Sequence, residues 1–223
     1  MKITDILIKL IPFIPRTLLM AGASLGLGLV FGSLLAAMKL SRFVVLKKIA
    51  EIFTTFVRCT PTMVLLFLCY YGLPLLFAHI GIDISGGSKT GFSITALTIF
   101  ASGILSEIIR PAYLSVPKGQ LEAAMTVGMT KFQAMTHIII PQTIFVALPN
   151  IGNMAISLVQ ESSLAYLIGV IDVMGQAKVI NSISSGLHII PIYFAVSIIC
   201  WLISLAIGRG IDVWTFRAGK VLR

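Results

Sequence analysis

Four polar residues fall within one apolar stretch of this 223-residue chain: Asn150, Asn153, Ser157 and Glu161. Their spacing of 3, 4 and 4 places them on one face of a helix. Polar groups inside a membrane are expensive and rarely face lipid, so such a face must meet a cavity or another helix. Two chemistries suit it: a line of contacts for a polar solute, or hydrogen bonds between helices worth ~0.6 kcal/mol each in lipid. Pro149 and Gly152 allow a kink at the same place. Glu107 and Arg110 lie one turn apart, a spacing that suits a local ion pair.

Covalent and metal chemistry find little support. The segment from Gly81 to Thr90 loosely resembles a phosphate-binding loop, but Gly87 follows Gly86 where that pattern requires lysine. His79, His137 and His188 are far apart and show no ligand spacing. Cys59, Cys69 and Cys200 contain no C-x-x-C pair and read as small hydrophobes in or beside apolar runs. Neither a Gly-x-Ser-x-Gly elbow nor a His-Glu-x-x-His pair occurs. A membrane-embedded enzyme would need titratable groups converging at one depth, and these are scattered.

The elements that position these residues follow from hydropathy. Hydrophobic residues make up 57% of the chain and charged residues 11%, with mean hydropathy +1.02. Soluble domains carry about 25% charge, so lipid must be the solvent for much of this chain. The expected fold class is all-α integral membrane. About five transmembrane helices are expected, near 17–38, 61–78, 92–109, 138–159 and 189–208, each approaching the ~20 apolar residues that a span requires. The shorter piece 164–171 is expected to be a surface helix or a re-entrant segment. Ala21-Gly22-Ala23 mimics a signal-cleavage site, yet the apolar run continues to Met38, which reads as a retained first span.

The net charge is +9. No basic stripe or aromatic-interleaved basic face accompanies it, which argues against nucleic acid as a partner. With the N-terminus outside, Lys39, Arg42, Lys47, Lys48, Arg58, Arg110, Lys118, Lys131, Arg209, Arg217, Lys220 and Arg223 fall on the cytoplasmic side. Lys2, Lys9, Arg16, Lys89 and Lys178 stay outside, so 12 basic residues oppose 5. This bias predicts N-out, C-in. Gly22 with Gly26, and Gly28 with Gly32, give two small-x-x-x-small spacings suited to close helix packing, within one subunit or across a dimer seam. Between the first two spans, Val45, Leu46, Ile49, Ile52, Phe53 and Phe56 alternate with Lys47, Lys48, Glu51 and Thr55 at helical spacing. This reads either as an amphipathic helix on the inner surface, with its lysines toward anionic headgroups, or as a solvated elbow.

The inner loop 117–137 and its continuation carry the most specific pattern. Glu122-Ala123-Ala124, three residues, Gly128, nine residues, then Ile138-Ile139-Ile140-Pro141 resembles the Glu-Ala-Ala (EAA) signature of ABC transporter permeases, with Ile140 in place of the usual leucine. Phe56-Val57-Arg58-Cys59-Thr60-Pro61 is similar to the Phe-Arg-Gly-Thr-Pro segment of the polar amino acid permeases, Cys59 replacing the glycine. Glu107-Ile108-Ile109-Arg110, Lys118-Gly119-Gln120 and Gln160-Glu161-Ser162-Ser163-Leu164 resemble the same subfamily. The runs Leu148–Asn153 and Ile168–Asp172 look most like L-cystine-type members.

This resemblance covers essentially the whole chain and implies a single permease domain, 1–223, of the type I importer class in the bacterial plasma membrane. It implies that loop 117–137 seats on a separate ATP-binding ATPase subunit. Glu122, Ala123, Ala124, Gly128 and Pro141 would then serve coupling, and Asn150, Asn153, Ser157 and Glu161 a zwitterionic amino acid. ATP and Mg would be bound by the partner and no cofactor by this chain. An extracytoplasmic substrate-binding protein and a second permease subunit, forming a homodimer or heterodimer, complete the implied assembly. Another amino acid remains an open alternative to L-cystine. The rival class, a stand-alone channel or secondary carrier, lacks a detectable inverted repeat here.

Overall fold

A computed structural model describes the backbone of residues 3–221 and the side chains of residues 3–215. Lys2 and Arg223, and the side chains of Arg217 and Lys220, lie outside the described residues. Helices account for all the regular structure described: α1 (Ile3–Leu10), α2 (Ile14–Leu40), α3 (Val44–Cys59), α4 (Thr62–Ala78), α5 (Lys89–Leu114), α6 (Lys118–Thr126), α7 (Lys131–Ile168), α8 (Val173–Ile183) and α9 (Ile189–Val221). Four stretches are long and apolar enough to cross a membrane: Ile3–Leu40, Lys89–Leu114, Lys131–Ile168 and Ile189–Thr215. The bent pair α3–α4, turning by 109°, passes the same test only when its two helices are taken together, as a broken span or a re-entrant loop, which makes up to five. The bend falls at Thr60-Pro61, where both residues have extended ψ (127° and 138°). Pro61 disfavours helical geometry in the residue before it.

Small residues set the centre of the bundle. Helices α2 and α5 run parallel: Ser24 donates to the Ile94 carbonyl at 3.3 Å, Gly28 meets Ala101, and Gly32 meets Leu105. A Cβ on Gly28 would lie 2.6 Å from the Ala101 Cβ, and one on Gly32 would lie 2.9 Å from the Leu105 Cβ. This glycine pair therefore packs within the subunit. Gly22 and Gly26 have open space where a side chain would go. Around this seam Met20, Leu66, Leu97, Leu105, Met154 and Leu158 form the main buried cluster. A second cluster joins α1, α8 and α9 through Ile6, Leu10, Ala177, Ile180 and Ile192.

Segment 164–171 does not form a separate helix at the surface, one of the two forms expected of it. Residues Ser163–Ile168 continue α7 as a 3-10 turn, and Gly169 at φ 81° ends it. Ala165, Ile168 and Val170 are buried in the main cluster. Three apolar side chains find more contact inside than at a membrane surface, which decides their placement. Helix α3 is amphipathic as expected, and its large side chains point outward. Val45, Ile52 and Phe56 are exposed, while Ala50, Thr54 and Val57 pack inward. Val57 reaches the Gly103 backbone, where a Cβ would sit 2.8 Å from its Cγ1.

Candidate functional site

The loop after α5 forms a compact two-helix unit from local bonds. Helix α6 begins after Pro117, which needs no helical partner for its missing N–H. It ends at Gly128, whose φ of 89° lies in the left-handed region. The Gly128 N–H donates to the Met125 carbonyl and the Met129 N–H to the Ala124 carbonyl, both at 3.1 Å. These two bonds form a Schellman stop, in which glycine is favoured because it avoids the Cβ clash. The next helix starts at once. Thr130 accepts from the Gln133 N–H at 3.3 Å, and the Gln133 side chain accepts from the Thr130 N–H at 2.8 Å. This reciprocal capping box leaves little slack between α6 and α7. Gln142 donates to the Gln120 side chain, tying α7 back to α6.

The residues of the Glu-Ala-Ala motif separate by exposure. Glu122 and Ala123 are exposed, whereas Ala124 is 4% exposed and lies inside the subunit. Of the two alanines, only Ala123 is available to a docked surface. Pro141 is exposed in α7, two residues past the end of the wide π turn Met135–Ile139. The outer surface of the unit also carries three residues missed in the sequence reading: Met125, Val127 and Phe132, at 51%, 78% and 77% exposure. Three large apolar side chains held in the open on a short rigid loop suit a docking surface. They follow a polar helix start and show no periodicity, so the sequence pattern did not single them out.

The polar line on α7 also divides. Asn150 and Asn153 are exposed, and Ser157 and Glu161 are half-buried. Glu161 lines a small cavity with Thr62 and Leu66 of α4, Ser93 and Leu97 of α5, and Leu164. Among the described residues no cation pairs with the Glu161 carboxylate. Thr62 and Ser93 were not anticipated because they lie far from Glu161 in sequence and in different spans. Gly152, within the polar stretch, marks the crossing of α9: a Cβ there would fall 2.0 Å from Ile211 Cδ1.

At the end of the bundle nearer the loop, the expected Glu107–Arg110 pair does not form. Glu107 bonds Lys39 of α2 at 2.6 Å and approaches Arg58 of α3 at 3.8 Å. The Lys39 side chain is 4% exposed and also donates to Ser106 at 3.3 Å. Arg110 leaves its Nε buried without a partner. The parallel packing of α2 on α5 brings Lys39 to Glu107, and a buried ammonium requires a counter-charge more than the exposed alternatives do. At the opposite end Asp172 caps α8, accepting from the Gly175 N–H at 2.8 Å and from the Thr17 hydroxyl at 3.4 Å. Burial raises its pKa above the usual carboxylate range, against the lowering effect of these bonds.

The described residues contain no cluster of His, Cys, Asp or Glu fit to hold a metal. The arrangement offers instead a stiff exposed loop and a polar face with a carboxylate, Glu161, that has no cation partner among the described residues. Comparison with known proteins fits this arrangement. The sequence profile of the family described as binding-protein-dependent transport system inner membrane component matches residues 28–215. The probable amino-acid permease protein YxeN of Bacillus subtilis is 39% identical over 196 residues, covering 88% of this chain and 85% of that protein. The L-cystine transport system permease protein TcyL of the same organism is 34% identical over 218 residues, covering 98% and 88%. The crystal structure of an amino acid ABC transporter with histidines superposes with TM-score 0.79 at 30% identity, covering 96% of this chain and 94% of that chain. The MetNI methionine ABC transporter shares the fold, with TM-score 0.75 at 18% identity.

Proposed function

Because this chain belongs to the family of binding-protein-dependent transport system inner membrane components, as a polar amino acid ABC permease, we propose that loop 117–137 couples a separate ATPase to movement of an amino acid past Glu161. The observation that carries this reading is the loop itself. A Schellman stop followed by a capping box makes it a stiff lever, and Met125, Val127 and Phe132 stand out from it. A lever transmits motion only if it does not bend. Exposed Glu122 can accept hydrogen bonds from the ATPase, and Ala123 lets the surfaces approach closely.

In this reading ATP and Mg stay on the ATPase, and this chain supplies no catalysis. The loop faces the cytoplasm, the N-terminus is outside and the C-terminus inside, as the Lys/Arg bias favours. Two permease subunits enclose one path, their exposed Asn150 and Asn153 facing it. The carboxylate of Glu161, with Thr62 and Ser93 beside it, receives the substrate's ammonium group. A binding protein outside delivers the substrate. The two arrangements of the path, open inward and open outward, are biased in turn by substrate and by ATP. The likeness to TcyL supports L-cystine as the substrate, within a group of amino-acid relatives that also includes a probable glutamine permease.

Uptake of radiolabelled amino acids by vesicles holding the whole complex tests the proposal. ATP-dependent accumulation of cystine is expected. Accumulation of a different amino acid would reassign the substrate, and no ATP-dependent transport of any amino acid would refute the reading.

A further inference from the structure

One cavity is unrelated to the polar path. It has a volume of about 370 Å³ and opens on the flank of the bundle between α2, α3 and α5. Leu27, Phe31, Leu34 and Leu35 of α2, Phe53 of α3 and Ile99 of α5 form most of its wall. The hydroxyls of Thr95 and Ser102 turn back onto the Gly91 and Ile99 carbonyls, at 3.0 and 2.8 Å, and the Thr98 hydroxyl is buried in the wall. The surface presented is therefore apolar. Leu27, Phe31 and Leu34 remain 46%, 49% and 57% exposed at the rim.

Depth and charge identify what would fill it. Leu27 to Leu35 spans ~12 Å of helix at ~1.5 Å per residue. One leaflet of the hydrocarbon core is about 15 Å deep. The groove therefore runs along a single leaflet, and its lower end points toward the α2–α3 elbow. There Arg42 and Lys48 are exposed and have no carboxylate partner among the described residues. Lys47 is shared with Glu51 at 3.9 Å. Beside them Phe43, Val44, Val45 and Ile49 are exposed, as expected of a helix lying at the headgroup boundary. An apolar slot about one leaflet deep, with two cations in the elbow that follows α2 beyond its lower end, matches an acyl chain below an anionic headgroup.

We propose that this groove holds one anionic glycerophospholipid, its chain between α2, α3 and α5 and its phosphate at Arg42 and Lys48. The lipid would fill the gap behind α3, the element that carries Arg58 to Glu107. The site is independent of the substrate path, so its failure would leave the transport reading untouched.

Native mass spectrometry of the full chain tests this, after exchange from micelles with equal phosphatidylglycerol and phosphatidylcholine of identical acyl chains. One retained phosphatidylglycerol per chain is expected, favoured about 30-fold over phosphatidylcholine by two surface cations. The R42S/K48S double variant should retain the two lipids equally, with its thermal midpoint measured alongside. L35W, which fills the groove and keeps the cations, should retain neither. Equal retention of both lipids by the unaltered chain would overturn the proposal. So would undiminished phosphatidylglycerol preference in R42S/K48S, or retention of no lipid at all. If L35W does not insert, the double variant decides alone, because both its changes lie on the surface.

Discussion

Glu107 and Glu161 are both half-buried carboxylates in spanning helices, and their surroundings differ sharply. Glu107 lies 2.6 Å from the buried Lys39 and 3.8 Å from Arg58, so three elements, α2, α3 and α5, are tied at one point. Glu161 has Thr62, Ser93 and apolar neighbours around it and no cation among the described residues. The residue type is the same, yet among the described residues one carboxylate has its charge balanced and the other does not. A balanced charge at this depth holds helices together, whereas an unbalanced one is available to a ligand or a second subunit.

The comparison can be broken most directly at Lys39. Replacing it with Ala removes the buried partner and should destabilise the chain by about 3 kcal/mol, reduced because Glu107 keeps some solvent contact. A clear drop in the thermal midpoint of the purified chain is expected. The K39A/E107A double variant should recover part of it, and an unchanged midpoint in K39A would remove the structural role of the pair. Gly28→Val should follow at about 1–3 kcal/mol, because the added side chain pushes α2 from α5 and draws Lys39 from Glu107. Gly22→Val, facing open space, should stay within ~0.5 kcal/mol. Equal losses in the two glycine variants would show that the seam does not position the pair.

At the other glutamate the expected readout is transport. Glu161→Ala should lower ATP-dependent uptake by about tenfold or more, since a charge-assisted contact worth ~1.5–3 kcal/mol is lost, with little change in thermal midpoint. Normal uptake kinetics would remove Glu161 from the path. Gly128→Val carries a smaller local strain of ~1–2 kcal/mol at its positive φ. Insertion should survive, and ATP hydrolysis by the assembled complex should continue with uptake reduced. Unchanged uptake would undermine the lever.

Asp172 provides a third, intermediate case: buried and hydrogen-bonded, with its pKa raised by burial. A carboxylate whose folded-state pKa is raised binds more protons when folded than when unfolded. Its contribution to stability is complete below the ordinary value of about 4 and is lost as pH rises through the raised one. Wild-type thermal stability should therefore fall slightly more than that of Asp172→Asn between the two values. Identical slopes would show that Asp172 titrates normally.

Loop 117–137 was the most legible part of the sequence. Its turn depends on Gly128 and its restart on Thr130 and Gln133, all within a few residues, and such bonds form wherever the chain carries those types in that order. The spans were legible for a similar reason, since apolar length alone decides whether a helix can cross lipid. The pairing of Glu107 was not. Arg110 is one turn away in sequence, and the choice of Lys39 depends on how far α2 slides along α5. That register is set by where Gly28 and Gly32 admit Ala101 and Leu105.

Composition and local order thus determined an all-helical membrane architecture, a stiff turn at Gly128 and a polar line on the fourth apolar stretch, while the likeness to permeases rested on the spacing of the motif in 122–141. The tertiary structure alone decided which glycine pair faces inward, which carboxylate is paired with a cation, that Ala124, Ala165, Ile168 and Val170 are buried, and that Thr62 and Ser93 stand beside Glu161. The division has one physical cause. Hydrogen bonds and hydropathy act over a few neighbouring residues and can be read in order along the chain. Contacts between helices depend on the rotation and offset of each helix against the next, which many small packing terms settle together.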